Sequence, residues 1–224
     1  MTDRRAPVDW IGDTRVIVVV RASDASRYVE LAGRLGEIGL DVHEITLTTP
    51  GALECIAALR AEQPELLVGA GTVLTAEDAH EALAAGASFI VSPTLDARIV
   101  AIAHEAGAMA IPGAMTPTEV HAAVRAGADA VKIFPASIGG PHYIKALRGP
   151  MPDVRFVPTG GISTKTAPDY LAAGAHAVCL GTSFLGSASL EEGRFEVPLR
   201  QAEELIAALG QRSKARKRRK SDAR

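Results

Sequence analysis

A glycine that ends a predicted helix just before a short apolar segment recurs along this chain and constrains its fold more than any other feature. Each glycine is followed, after one or two further residues, by an apolar run of strand type. Glycine suits the left-handed position that ends a helix. The repeats occur at Gly39, Gly86, Gly107, Gly127 and Gly174. Successive glycines are 47, 21, 20 and 47 residues apart. A spacing near 20 fits one unit of a strand and a helix, and a spacing of 47 fits two such units.

The whole chain then divides into eight such units. The predicted strands lie near residues 15–21, 41–47, 66–70, 89–92, 108–111, 130–134, 154–158 and 177–181, and the last helix covers residues 190–209. Short, continuously apolar strands are typical of a parallel sheet covered on both faces. Eight units in one domain predict an α/β fold of the single, compact (β/α)8 TIM-barrel type. A doubly wound open sheet is the alternative, but it predicts a glycine-rich turn after strand one, and residues 21–24 contain no glycine.

Composition limits the number of domains. The chain has 224 residues, 47% of them of apolar type, which suffices for one sizeable core, assigned to residues 1–211. Residues 212–224 hold eight basic side chains and one acidic one, and this like-charge block is predicted to be disordered. The remaining chain carries 16 basic and 25 acidic side chains, a net charge of −9. Contact with nucleic acid is therefore not expected, despite the basic tail.

The sequence also predicts where the protein works. No segment has the apolar run of a signal peptide or the length of a membrane span, so no membrane attachment is expected. Cys55 and Cys179 lie far apart in apolar surroundings and are interpreted as reduced core residues of a cytoplasmic protein. Six histidines are scattered without metal-ligand spacing, and no metal site is predicted.

One apolar strand, residues 130–135, carries a lysine in its middle. Lysine is seldom buried unless it is paired or used, and burial favours its neutral, nucleophilic form. Alternation places Val42, Glu44 and Thr46 of strand two on one face, which we interpret as the barrel interior. Two interpretations remain open at this point. Lys132 and Glu44 form either a structural ion pair or an imine-forming amine with a carboxylate base beside it.

Polar and glycine residues collect at the carboxyl ends of the predicted strands, where the active sites of such barrels lie. After strands seven and eight, glycine N–H groups and hydroxyls predict a phosphate-binding site. Its members are Gly160, Gly161, Gly181, Thr182 and Ser183.

Several motifs together resemble those of the 2-keto-3-deoxy-6-phosphogluconate (KDPG) aldolase family, also called 4-hydroxy-2-oxoglutarate (KHG) aldolases. They occur in the family's order over residues 15–185: His43-Glu44-Ile45-Thr46-Leu47, Gly69-Ala70-Gly71-Thr72-Val73, Val91-Ser92-Pro93, Ile111-Pro112-Gly113, Val131-Lys132-Ile133-Phe134-Pro135-Ala136, Gly140-Pro141-His142-Tyr143-Ile144-Lys145-Ala146-Leu147 and Pro158-Thr159-Gly160-Gly161-Ile162. The resemblance implies a homotrimeric (β/α)8 barrel and a class I aldolase that needs no metal and no cofactor besides the covalent Schiff base.

By this resemblance Lys132 forms the Schiff base and Glu44 is the acid/base residue. The residues implied to line the pyruvate end are Thr72, Pro93, Phe134 and Thr159. Gly160, Gly161 and Ser183 are implied to bind phosphate, and Arg21 to bind the substrate's polar chain or to orient Glu44. Some members carry an arginine close after the Thr-Leu of the strand-two motif, whereas this chain has none at residues 48–50. This difference bears on which chain end of the substrate the protein prefers.

The expected reaction is the reversible cleavage of a 2-keto-3-deoxy-6-phosphosugar acid, KDPG first, to pyruvate and glyceraldehyde 3-phosphate. Residues 140–145 also resemble the phosphogalactonate branch of the family, which makes 2-dehydro-3-deoxy-6-phosphogalactonate an alternative substrate. Two rivals differ in class: a metal-free phosphate-binding barrel isomerase, and a barrel used as an oligomeric assembly scaffold.

Overall fold

The computed structural model describes residues 5–186, 190 and 192–210, and the predicted basic tail lies outside the described residues. The helices are α1 (Arg5–Thr14), α2 (Tyr28–Ile38), α3 (Ala52–Glu62), α4 (Ala76–Ala84), α5 (Ala97–Glu105), α6 (Pro117–Arg125), α7 (Gly140–Arg148), α8 (Ala167–Ala172), α9 (Thr182–Leu185) and α10 (Glu196–Ala208), with a 3-10 turn at Ala136–Ile138. The strands are β1 (Val16–Val20), β2 (Val42–Thr46), β3 (Leu67–Gly71), β4 (Phe89–Val91), β5 (Met109–Ile111), β6 (Gly113–Ala114), β7 (Val131–Ile133), β8 (Phe156–Pro158) and β9 (Val178–Leu180).

Residues at both ends of the helices explain where these elements stop. The prediction from the repeated glycines is confirmed, because all five have φ between 76° and 113°, in the left-handed region. At the opposite end, Thr75 begins α4 and Thr116 begins α6, each with a capping box that satisfies free backbone N–H groups. Each cap of this kind contributes about 1 kcal/mol to stability.

The strands form two parallel sheets. The larger has the order β5-β4-β3-β2-β1-β9 and the smaller the order β6-β7-β8. Within each sheet, strands that follow one another in sequence pair side by side and in parallel, as is usual for strands joined through helices. The chain thus has an α/β fold with a curled, six-stranded parallel sheet.

The fifth predicted strand, residues 108–111, ends at Pro112, because proline has no N–H to donate to a neighbouring strand, and a further short strand follows it. The strand before Pro112, β5, belongs to the larger sheet, and the strand after it, β6, to the smaller one. The Lys132 N–H donates to the Pro112 carbonyl over 2.9 Å at this junction. At the other edge, Thr159 and Cys179 form an isolated parallel bridge. Single backbone contacts thus run from β7 to Pro112, next to β5, and from Thr159, next to β8, to Cys179 of β9.

Apolar side chains pack in two layers. The larger cluster lies between the sheets and the helices and includes Tyr28 and Ile56. The smaller cluster gathers side chains from the other face of the strands, among them Val19 and Phe89. Ile11 of α1 joins this inner cluster and is 1% exposed, although the sequence analysis predicted no helix there. In the described part of the chain, no helix is both long enough and apolar enough to cross a membrane.

Candidate active site

An open cavity of about 640 Å³ lies at the carboxyl ends of the strands, a volume typical of small-molecule sites. Ten of the twelve site residues predicted from the sequence line it: Arg21, Glu44, Thr72, Pro93, Lys132, Phe134, Thr159, Gly160, Gly161 and Gly181. The other two, Thr182 and Ser183, lie in α9, and their side chains are outside the described part of the structure. The predicted residues are thus gathered in one place.

Lys132 and Glu44 form the charged centre of this cavity. Lys132 is in the middle of β7 and pairs with Gly113 on one side and Val157 on the other, so its backbone is fixed. Its Nζ lies 3.6 Å from Oε1 of Glu44, and the two side chains are 7% and 0% exposed. Neither carboxylate oxygen has a hydrogen-bond partner among the described residues. The pair is therefore a loose ion pair, which leaves both groups able to meet a ligand.

Apolar and weakly polar groups surround the amine. Its Nζ lies 5.5 Å from the centre of the Phe134 ring. Cys179 lines the same cavity, although sequence reasoning had assigned it only to the core. Burial raises the pKa of the Cys179 thiol to about 12, and the nearby Glu44 carboxylate adds to this effect. The thiol is therefore neutral, and Lys132 is the nucleophile that the site offers.

Arg21, directly after β1, lies at the exposed rim of the cavity. Its Nη1 donates to the Thr48 hydroxyl over 2.5 Å, and its Nη2 donates to the Thr72 hydroxyl over 2.8 Å. Thr72 has φ of 59°, an unfavourable value for a β-branched residue, which is found where function or packing demands it. Arg21 makes no hydrogen bond to Glu44, since that carboxylate has no hydrogen-bond partner among the described residues. The guanidinium is thus held over the cavity by two threonines and can receive an anionic group.

Two consecutive glycines follow β8. Gly160 has φ of 95° and Gly161 has φ of 74°, values that other residues adopt rarely. A Cβ at Gly161 would lie 2.6 Å from Cβ of Ser137, so a side chain has no room there. Gly181, after β9, borders the same part of the cavity. The backbone at this end can approach an anion closely.

In the described ranges, no group of three or more His, Cys, Asp or Glu side chains could hold a metal ion. The polar groups that converge on the cavity are instead one amine, one carboxylate, one guanidinium and several hydroxyls. An amine and a carboxylate that face one cavity can form an imine with a ketone and move protons during its reaction.

A buried lysine beside a carboxylate, at the carboxyl ends of parallel strands, defines an enzyme of the Schiff-base aldolase class. The chain belongs to the KDPG and KHG aldolase family, whose model matches residues 9–197. It is 39% identical to the 2-dehydro-3-deoxy-phosphogluconate aldolase of Treponema pallidum (strain Nichols), over 88% of this chain and 94% of that protein.

Two solved structures extend the similarity to three dimensions. One is the KDPG aldolase of Legionella pneumophila with pyruvate captured at low pH as a covalent carbinolamine intermediate. It has a TM-score of 0.81 and 30% identity, over 89% of this chain and 97% of that one. The other, described as native KDPGal, has a TM-score of 0.79 and 31% identity, over 87% and 93% of the two chains.

Proposed function

We propose that this protein cleaves 2-keto-3-deoxy-6-phosphogluconate reversibly to pyruvate and glyceraldehyde 3-phosphate, with Lys132 as the Schiff-base residue. The observation that carries the proposal is the buried Lys132–Glu44 pair, 3.6 Å apart in the cavity at the strand ends. The covalent carbinolamine of the Legionella pneumophila relative supports the same chemistry.

The reaction begins when Nζ of Lys132 passes its proton to the Glu44 carboxylate and attacks the C2 ketone. That proton then leaves with the carbinolamine hydroxyl as water, which gives an iminium. The iminium accepts the electrons of the C3–C4 bond as that bond breaks. Glu44 removes the proton of the C4 hydroxyl, and glyceraldehyde 3-phosphate leaves. The enamine then takes a proton at C3, and water hydrolyses the iminium to release pyruvate and restore the amine.

The other lining residues bind and orient the substrate in this proposal. Thr72, Pro93, Phe134 and Thr159 surround the pyruvate end, and Arg21 receives the charged chain of the sugar acid. The phosphate is bound by Gly160, Gly161, Gly181 and Ser183. The positive φ values of the first two glycines and the position of Gly181 on the cavity wall support this assignment.

We further propose a closed eight-stranded (β/α)8 barrel formed by residues 1–211. In it, β5 and β6 count as one strand interrupted by Pro112, and the backbone pairing at both sheet edges supports closure. We also propose that the protein is a homotrimer, that it lies in the cytoplasm and that it uses no cofactor. The two buried free cysteines, Cys55 and Cys179, support a reducing compartment.

Borohydride reduction in the presence of pyruvate tests the imine. We expect a covalent adduct on Lys132, identified by peptide mass mapping, and loss of both adduct and turnover in Lys132→Ala. Lys145→Ala is the matched control, because Lys145 is an exposed lysine of α7 and should leave the adduct intact. An adduct on another residue, or none at all, contradicts the mechanism.

A second candidate substrate is 2-dehydro-3-deoxy-6-phosphogalactonate. Arg21 is hydrogen-bonded to Thr48, in the segment where some family members carry an arginine, so this chain presents a rim cation from the residue that follows β1. The similarity to the native KDPGal structure points the same way. Side-by-side kcat/KM values for the phosphogluconate, the phosphogalactonate and hydroxy-oxoglutarate compounds separate the candidates.

A further inference from the structure

Gly71, the last residue of β3, lies directly against the side chain of Glu44. Its partner in the neighbouring strand is Thr46 of β2, two residues beyond Glu44 on the same face. A Cβ built on Gly71 would lie 2.6 Å from both Cγ and Cδ of Glu44 and would overlap Oε1 even more. Carbon atoms pack favourably only at about 3.5–4.0 Å. The Glu44 side chain therefore occupies the space that any side chain at position 71 would need.

Packing, and not hydrogen bonding, holds this carboxylate in place. Both of its oxygens are buried and have no hydrogen-bond partner among the described residues, and Lys132 Nζ stands 3.6 Å away. Backbone N–H donors would orient a carboxylate but would also favour its charged form. A group that must both take and return a proton is better placed by shape. Because Gly71 has no side chain, the space above it is free, and the Glu44 carboxylate fits into that space.

We propose that Gly71 is a positioning residue for Glu44, whose missing side chain lets the carboxylate stand beside the Lys132 amine. The proposal deepens the aldolase function given above and rests on it. It gives a reason for a glycine at position 71, which neither the backbone conformation there nor the packing of the core explains. Gly71 has no positive φ, so alanine could adopt its backbone conformation without strain.

Gly71→Ala tests the proposal in the full-length protein. The overlapping atoms belong to a flexible side chain beside an open cavity, so the variant should fold while Glu44 moves away. We expect kcat to fall about 10²-fold, the usual loss when a reacting group is misplaced by about 1 Å. Trapping of pyruvate on Lys132 by borohydride should persist. Exchange of the pyruvate methyl protons in D2O, followed by NMR, should fall with kcat, because it needs the base.

Gly69→Ala is the matched control, two residues earlier on the same face of β3. Although Gly69 pairs with Glu44 in the strand register, the three atoms nearest to a Cβ there all belong to the buried Phe89 ring, with Cγ and Cε2 at 2.5 Å. It should lower the melting temperature more than Gly71→Ala does, while the folded fraction keeps its kcat. Glu44→Ala supplies a double-mutant test, since it removes the Cγ, Cδ and Oε1 atoms that a methyl group at position 71 would overlap. In the Glu44→Ala background, Gly71→Ala should therefore cause little further loss of kcat.

The outcomes distinguish a failure of the proposed function from a failure of the proposed role of Gly71. If wild-type protein forms no adduct with pyruvate, the proposed function fails. If wild-type protein is active and Gly71→Ala keeps its kcat and its methyl exchange, the positioning role is refuted. If Gly71→Ala does not fold, the same change is made in Glu44→Ala. Recovery of folding there supports the contact, and continued loss of folding overturns it.

Discussion

His43 should make the fold sensitive to mild acid, and His43→Asn should remove that sensitivity. The imidazole lies on β2 next to Glu44 but points to the opposite face, where its Nδ1 is 2.6 Å from the Tyr28 hydroxyl of α2. Both side chains are 0% exposed. Burial lowers the pKa of His43 to about 4, partly offset by a backbone interaction with Leu40. Burial also raises the pKa of Tyr28 well above its usual value, so its hydroxyl stays protonated.

The size and direction of the effect follow from proton binding. In the unfolded chain His43 binds a proton near pH 6.5, whereas in the folded chain it does so only near pH 4. Between these values the unfolded state holds more protons, so stability falls as pH falls. One pKa unit corresponds to about 1.4 kcal/mol, so the total loss is on the order of 3 kcal/mol. This is a large share of a typical stability of about 5–15 kcal/mol.

Urea unfolding at a series of pH values measures how much the protonation of His43 lowers the free energy of unfolding. Between pH 6.5 and about 4, the free energy of unfolding of the wild type should fall more steeply than that of His43→Asn. Asparagine can accept from the Tyr28 hydroxyl and does not titrate. Tyr28→Phe is the control, since it removes the hydrogen bond and keeps the titrating ring, so its steep slope should remain. Parallel curves for wild type and His43→Asn would refute the reasoning, whatever their absolute stabilities.

Two further predictions concern the cavity. Glu44→Gln should lower kcat about 10²- to 10⁴-fold by removing a general acid/base, while the Lys132 adduct still forms; unchanged turnover in a steady-state assay would exclude this role. Arg21→Met should raise KM about tenfold or more, because hydrogen bonds to charged groups contribute roughly 1.5–3 kcal/mol, and should leave the melting temperature nearly unchanged because Arg21 is exposed. An equal KM for both proteins would show that Arg21 does not contact the substrate.

Much of this arrangement was predictable because backbone rules act locally. A glycine after a helix and an apolar run after the glycine place each unit, and two-residue alternation places Glu44 on the inner face. The carboxyl ends of parallel strands meet at one edge, which is why ten predicted residues line one cavity. These inferences need only neighbours in sequence and the direction of the strands.

Contacts that depend on the curvature of the sheet were not predictable. Glu44 packs against Gly71, and Arg21 donates a hydrogen bond to Thr48. In both contacts the two residues are 27 positions apart in sequence. The division at Pro112 also escaped prediction, because the residues before the proline already read as a complete strand. Cys179 was interpreted as core, and only the geometry shows that its thiol borders the cavity.

The structure also bears on the choice left open by the sequence between a structural ion pair and a catalytic pair. A buried ion pair stabilises a fold only when further hydrogen bonds compensate for the lost hydration of both charges. Glu44 has none among the described residues, and its separation from Lys132 is longer than a hydrogen bond. The pair opens on a cavity of about 640 Å³. Two charges that contribute little to stability, yet face a space of substrate size, are explained better by a reaction than by folding.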